Sequence, residues 1–299
     1  MILLRMVNHN FKQSVSSAGI FVFCIISLFF LSGCAVIISS ATSDMMEHLS
    51  DTIVNNDDLT LVKTGAPAYL LMIDSLISKD PGNETLLSTA SMLYTAYADL
   101  FVKDMNQSRK MADKALKYAN QAICLEKKDA CMLKSKTFED FEKIMSTMKK
   151  KQVPALFALG NAWAGWIMAN KNDFNAIADM SYIEIIMQKV IELDETYKDG
   201  AAYLYLGTLA TFLPPALGGK PKLGKYYFDR AVKLSQGKNL MVKVLYAKLY
   251  AKMVFDRTLY DQLLKDVIAA DPYVPGYTLV NTRAQLQARE LIDGADDYF

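Results

Sequence analysis

Histidine is nearly absent from this chain. Of the two histidines in 299 residues, only His48 lies beyond residue 33. Most Ser-His and Cys-His nucleophiles, and most histidine-ligated metal sites, need at least one well-placed histidine. The carboxylate pairs at residues 57–58 and 296–297 lie in polar terminal stretches, whereas glycoside hydrolysis needs two carboxylates that face each other across a cleft. We therefore expect no enzyme, no catalytic residue, no metal site and no cofactor.

The chain also lacks an excess of either charge. It has 33 basic and 32 acidic residues, and the formal net charge is +1. Nucleic-acid-binding domains carry a basic patch or stripe, and none stands out here. The basic run at residues 149–151 is expected to be a solvated helix end. The composition therefore argues against a nucleic-acid partner.

No long hydrophobic run follows residue 33. The one extended apolar stretch, residues 18–31, has about 14 residues, fewer than the roughly 18 a membrane span needs but enough for a secretory signal. Arg5 and Lys12 precede it and no acid does. It ends in Leu-Ser-Gly-Cys at residues 31–34, which resembles a bacterial lipobox. An incidental cysteine after a secretory peptide, or an uncut anchor, are the alternatives.

The lipobox interpretation divides the chain into three parts. Residues 1–33 are a cleaved lipoprotein signal peptide, residues 34–58 are the lipidated N-terminus and tether, and residues 59–299 are a helical domain. Cys34 carries the lipid, and several acyl chains together anchor a protein firmly, because each buried methylene contributes about 0.8 kcal/mol. The mature protein is then expected on the periplasmic side of a bacterial membrane.

Cysteine is scarce, and the four present have separate roles. Cys24 leaves with the signal peptide and Cys34 carries lipid, so Cys124 and Cys131 remain in an oxidising compartment. On one continuous helix, positions seven apart are separated by about 10 Å, too far for a disulfide. A turn at residues 127–129 would bring them together. A disulfide and two small buried hydrophobic residues are both consistent with the spacing.

Alternating apolar and polar residues, the pattern of a half-buried strand, are missing as well. The 3.6-residue helical period instead recurs in three clear stripes near residues 86–101, 112–123 and 156–167. Proline and glycine fall between such stripes, at residues 81–83, 154, 214–215, 218–219, 237, 272 and 275–276. The pattern predicts an all-α protein of about eleven helices.

The helix ends repeat. Segments 76–81, 122–127, 190–195, 231–236 and 267–272 each resemble the Ala-Ile-Glu-Leu-Asp-Pro close of a tetratricopeptide repeat. Leu-Gly occurs at residues 159–160 and 206–207, as in the first helix of such a repeat, where glycine lets a facing helix approach closely. The closing positions are 46, 68, 41 and 36 residues apart instead of about 34. We expect degenerate helix-pair repeats that form an α-α superhelix; the alternative is an unrelated helical bundle.

One loop is unusually rich in proline and glycine. It runs from residue 214 to residue 221, where prolines stiffen the backbone and glycines permit positive φ. Its Gly-Gly-Lys lacks the preceding strand and the spacing of a phosphate loop. It is expected to be a rigid loop for a partner or for oligomer assembly; a purely structural turn is the alternative. The residues concerned are Pro214, Pro215, Leu217, Gly218, Gly219 and Lys220.

Several stretches resemble one known family, the tetratricopeptide lipoproteins that accompany tripartite ATP-independent periplasmic (TRAP) transporters as their T component. The resemblance covers nearly the whole mature chain. It rests on residues 65–71, 158–167, 204–207, 213–219, 239–244, 254–257, 270–272, 281–282 and 295–299.

This resemblance implies a lipid-anchored periplasmic protein that pairs with the substrate-binding protein of the transporter. It also implies a homotrimer with a hydrophobic channel in each protomer, through which a small apolar or amphipathic ligand passes. Aromatic residues at helical spacing are either core or the wall of that channel; those concerned are Trp163, Trp166, Tyr203, Tyr205 and Phe212. The alternative function is a structural scaffold for envelope protein assembly without a small ligand.

Overall fold

The computed structural model describes residues 48–299, and throughout them the regular structure is helical, without a strand. The predicted all-α class is confirmed. The chain divides into two compact units, Met1–Thr52 and Ile53–Phe299. Only residues 48–52 of the first unit are described, and they are helical. The signal segment and Cys34 lie outside the described residues.

Twelve α-helices follow one another between residues 59 and 299, close to the eleven expected. They are α1 (Leu59–Lys79), α2 (Glu84–Phe101), α3 (Met105–Glu126), α4 (Phe138–Ser146), α5 (Val153–Ala169), α6 (Phe174–Ala178), α7 (Met180–Leu193), α8 (Ala201–Ala210), α9 (Pro221–Ser235), α10 (Leu240–Leu245), α11 (Arg257–Ala269) and α12 (Thr278–Asp293). Short 3₁₀ turns lie at Lys128–Ala130, Leu133–Ser135, Lys150–Gln152, Tyr197–Gly200 and Pro215–Leu217, and a π-helical turn, Tyr246–Ala251, follows α10.

Side-chain caps set many of the helix starts. Asp58 accepts from the amides of residues 60 and 61, Asn83 accepts from Leu86 N, and Asp256 accepts from Leu259 N. Each cap satisfies amide donors that the first helical turn leaves unpaired and contributes about 1 kcal/mol. Pro154, expected between two stripes, lies in the first turn of α5, where its missing N–H costs nothing.

Consecutive helices pack on one another along the Ile53–Phe299 unit. α2 contacts α1, α3 and α5, α5 continues to α7, and α7, α8 and α9 follow in order. The glycines of both Leu-Gly pairs lie where a facing helix comes close. A Cβ at Gly160 would lie 2.9 Å from Ile186 Cγ2 of α7, and one at Gly207 would lie 3.1 Å from the Phe228 ring of α9.

The last three helices form a second packed group, which also contacts α1. Helices α10, α11 and α12 pack together with the π-helical turn, and α12 also contacts α1. Two hydrogen bonds tie the loop before α12 to the residues before α1: Tyr273 Oη donates to Asp57 Oδ2 (2.9 Å), and Gly276 N donates to Asn55 Oδ1 (2.6 Å). The segment before α12 therefore lies beside the segment before α1.

The turn after α3 joins the two remaining cysteines. α3 ends at Glu126, and the 3₁₀ turn Lys128–Ala130 reverses the chain. Cys124 and Cys131 are linked by a disulfide across this turn, with Cα atoms 4.4 Å apart. Between residues 48 and 299, none of the helices combines the length and apolar character that a membrane crossing requires.

Candidate functional site

Trp163 lies wholly inside the core. Its ring stacks on Tyr182 with centroids 5.3 Å apart, and its Nε1 donates to Asp179 Oδ2 (3.0 Å). The side chain has no exposed surface. In this structure Trp163 joins α5 to the start of α7.

Trp166, one turn further along α5, is partly exposed and carries a cation on its face. Its Nε1 donates to Asp113 Oδ1 of α3 (2.8 Å). Lys134 Nζ lies 3.2 Å from the ring centroid and 3.2 Å from Asp179 Oδ2. Lys134 thus connects both tryptophans through Asp179. These polar partners come from segments far apart in the sequence, and the sequence reasoning missed them.

Tyr203 is also buried, in a polar cluster that joins α8 to α9. Its hydroxyl donates to Glu195 Oε1 (2.7 Å), which also pairs with Arg230. Burial, together with the hydrogen bond to Glu195, raises the pKa of Tyr203 to about 12. The phenol therefore stays neutral at physiological pH and serves as a structural donor.

Tyr205 lies in a different environment, with part of its surface accessible. Its hydroxyl accepts a hydrogen bond from Asn161 Nδ2. Its ring packs edge-to-face with the Phe157 ring, and the two ring centroids are 5.8 Å apart. Burial raises the pKa of Tyr205 to about 12. Asn161 Oδ1 is buried and has no hydrogen-bond partner within residues 48–299. A buried acceptor without a donor costs free energy, so Asn161 is a locally unfavourable position in the core.

Asp99 of α2 acts on Tyr205 through its charge, which contributes to raising the tyrosine pKa. The Asp99 side chain is accessible to solvent, yet burial raises the pKa of its carboxyl to about 6. Its carboxyl is therefore flanked by protein atoms while the side chain still reaches solvent. Asp99 is the sole acid between Glu84 and Asp104, a signal within an otherwise apolar stripe that the sequence reasoning did not use.

These four residues, Phe157, Asn161, Tyr205 and Asp99, form what we call the Tyr205 cluster. Tyr205 is partly accessible and Asp99 is exposed, whereas the Phe157 ring and Asn161 Oδ1 are buried. Of the five aromatic residues predicted to line a channel, Tyr205 lies in this cluster, whereas Trp166 belongs to a separate one around Lys134. Phe212 is partly exposed in the turn after α8.

The loop at residues 214–220 is held by its own backbone. Lys220 N donates to Ala210 O (2.7 Å), and Gly219 N donates to Pro214 O (3.1 Å). Gly218 has φ of 97°, and a Cβ at Gly219 would collide with the carbonyl oxygen of Leu213. Both glycines are therefore needed, and most of the loop is exposed.

A cavity of about 140 Å³ lies beneath this loop. Helices α7, α8 and α9 form its apolar walls, and the loop covers one side. We call it the loop cavity; its lining includes Met180, Ser181, Glu184, Leu206, Leu209, Ala210, Leu213, Gly218, Gly219, Lys220, Leu223 and Tyr227. Glu184 Oε1 and Lys220 Nζ lie 3.8 Å apart.

The acidic pairs noted in the sequence have structural partners. Asp58 caps α1 and Asp57 accepts from Tyr273, while Asp296 pairs with Arg257 at 3.0 Å. In the part of the chain that the structure describes, no group of three or more His, Cys, Asp or Glu side chains is placed to hold a metal ion.

Comparison with known proteins adds one finding. The sequence model of a family described as TRAP transporter T-component matches residues 55–299, most of the chain and nearly all of its Ile53–Phe299 unit. A search of curated proteins finds no matching relative.

Proposed function

The chain belongs to the TRAP transporter T-component family, and from that membership we propose that it binds the substrate-binding protein of a TRAP transporter. As a T component it has an accessory role in the transporter. The observation that carries the proposal is the match over residues 55–299, which includes α1 to α12.

A second part of the proposal concerns the ligand. We infer that a small apolar or amphipathic ligand passes the Tyr205 cluster on its way to or from the binding protein. Tyr205 is partly accessible and supplies aromatic surface, which binds apolar groups at low entropic cost. The exposed carboxyl of Asp99 would hydrogen-bond the polar end of the ligand.

The remaining parts concern location and assembly. Cys34 is the proposed lipidation site, which would tether the helical unit on the periplasmic side of the membrane beside the permease. The proposed assembly is a homotrimer. The exposed loop at residues 214–220 is the proposed surface for the partner or for a neighbouring protomer, because its rigid backbone presents a fixed shape at little entropic cost.

Native extraction from the source membrane tests the proposal. The tagged chain is solubilised and purified, and co-purifying proteins and small molecules are identified by mass spectrometry. The proposal predicts a TRAP-type substrate-binding protein and a bound small ligand, and loss of membrane association in the Cys34→Ser variant. Recovery of envelope-assembly proteins alone, with no ligand and no binding protein, would instead support a structural scaffold.

A further inference from the structure

The loop cavity is small and open on one side. Its volume of about 140 Å³ is close to that of a cavity which admits benzene, about 150 Å³. Leu206 is buried and forms part of its wall, with Leu209, Leu213 and Leu223 beside it. A space of this size and lining accepts one branched or aromatic apolar group.

The loop that covers the cavity is already ordered before a ligand binds. Its amides from residue 217 to residue 220 all donate to carbonyls within residues 210–215. Gly219 lies too close to the Leu213 carbonyl for any other residue, which fixes this part of the cover. A ligand therefore meets a preformed wall and does not have to order the loop, which reduces the entropic cost of binding.

Opposite charges lie at the mouth. Glu184 Oε1 and Lys220 Nζ are 3.8 Å apart, beyond hydrogen-bond distance, and the two side chains are 34% and 60% exposed. Such an exposed ion pair contributes little to the stability of the fold. A ligand that separates the two side chains and pairs with each of them therefore loses little free energy. Glu184 can take an ammonium group and Lys220 a carboxylate group.

From this combination we propose that the loop cavity binds a free α-amino acid with a branched or aromatic side chain. The side chain enters between the leucines, the ammonium pairs with Glu184, and the carboxylate pairs with Lys220. An amino acid carries its two charges on neighbouring carbon atoms, which matches two opposite charges side by side at one mouth. This site is separate from the Tyr205 cluster and shares with the proposed function only the loop at residues 214–220.

Isothermal titration calorimetry on the full-length chain tests the site with four probes. L-leucine has an apolar side chain, an ammonium group and a carboxylate group. Glycine lacks the side chain, leucinamide lacks the carboxylate, and N-acetyl-leucine lacks the ammonium. We expect saturable binding of L-leucine at micromolar to millimolar concentrations, and binding at least about tenfold weaker for each of the other three. No heat from L-leucine at millimolar concentrations, or equal binding of all four probes, would overturn the proposal.

Variants locate the binding. Lys220→Gln and Glu184→Gln should each weaken L-leucine binding by at least about tenfold, while Lys222→Gln, outside the lining, should leave it unchanged. Ser181→Trp at the exposed mouth should abolish binding, whereas Ser78→Trp on the exposed face of α1 should not. Binding that survives Ser181→Trp in a normally folded variant would place the amino acid elsewhere and refute the site.

Discussion

The ammonium of Lys134 lies 3.2 Å from the centre of the Trp166 ring. Lys134 also pairs with Asp179, the acceptor of the Trp163 indole N–H, so one lysine connects two tryptophans. It lies three residues after Cys131, and the disulfide fixes where its segment leaves α3.

Lys134→Met keeps the aliphatic stem and removes the charge. Because a partly exposed cation over an indole contributes about 0.5–1 kcal/mol, we expect the free energy of unfolding to fall by about 1 kcal/mol. Tryptophan emission should also change, since Trp166 loses its nearest cation. Urea unfolding followed by fluorescence measures both effects. Lys128→Met, at an exposed lysine in the same connection, is the matched control and should leave both unchanged.

Reduction of the disulfide should destabilise the folded chain. The Cys124–Cys131 bond closes a short loop, and the loop-closure relation gives about 2.5 kcal/mol for a loop of this length. Urea unfolding with and without dithiothreitol measures the difference. The double variant Cys124→Ala, Cys131→Ala cannot form the bond. Its free energy of unfolding should be close to that of the reduced protein, with or without dithiothreitol. Equal stability of the oxidised and reduced protein would show that the bond does not constrain the chain.

Three glycines should respond differently to alanine. Gly219→Ala should lower the free energy of unfolding by about 2 kcal/mol or more, because the added methyl meets the fixed Leu213 carbonyl. Gly218→Ala has open space but φ of 97°, so it should cost about 1–2 kcal/mol. Gly65→Ala lies inside α1 with open space and should stabilise by about 0.5–1 kcal/mol. Chemical denaturation of the three variants ranks them, and a destabilising Gly65→Ala would contradict the structure of α1.

Asp99 should make stability fall as the pH rises. Burial raises the pKa of its carboxyl from 3.8 to about 6, so between these values the folded chain holds a proton that the unfolded chain has released. Stability from this group is complete below pH 3.8 and is lost as the pH approaches and passes 6. The Asp99→Asn variant should therefore gain stability relative to the wild type at pH 8 and not at pH 4. Carbon-13 NMR of the carboxyl measures the pKa directly, and a value near 3.8 would refute the raised pKa.

Local patterns were sufficient to predict the helical class and several details. Pro81-Gly82-Asn83 ends one helix and caps the next, as the breaker pattern indicated. A turn at residues 127–129 was the condition under which two cysteines seven apart could bond, because they are too far apart on one helix. The structure places this pair in a disulfide, one of the two alternatives that the sequence left open. Glycine after leucine at residues 160 and 207 correctly indicated close helix approach.

The side-chain clusters around the aromatic residues could not be predicted from the sequence, for a physical reason. Trp163 and Trp166 share one helix, yet one is buried and the other carries Lys134 on its face. The difference depends on Asp179 and Asp113, which only the folded chain brings to α5. Likewise, Asp99 influences Tyr205 across more than a hundred residues of sequence. Helical periodicity shows which residues share a face of one helix and carries no information on what that face meets.

The most direct test of the account is the binding equilibrium between this chain and the TRAP-type substrate-binding protein of the same organism. The purified chain is immobilised, and the binding protein is applied over a range of concentrations, with a binding protein from an unrelated ATP-driven transporter as control. The account predicts saturable binding of the TRAP-type protein and none of the control. Absence of saturable binding by the folded chain, with and without transported substrate, would contradict the central claim.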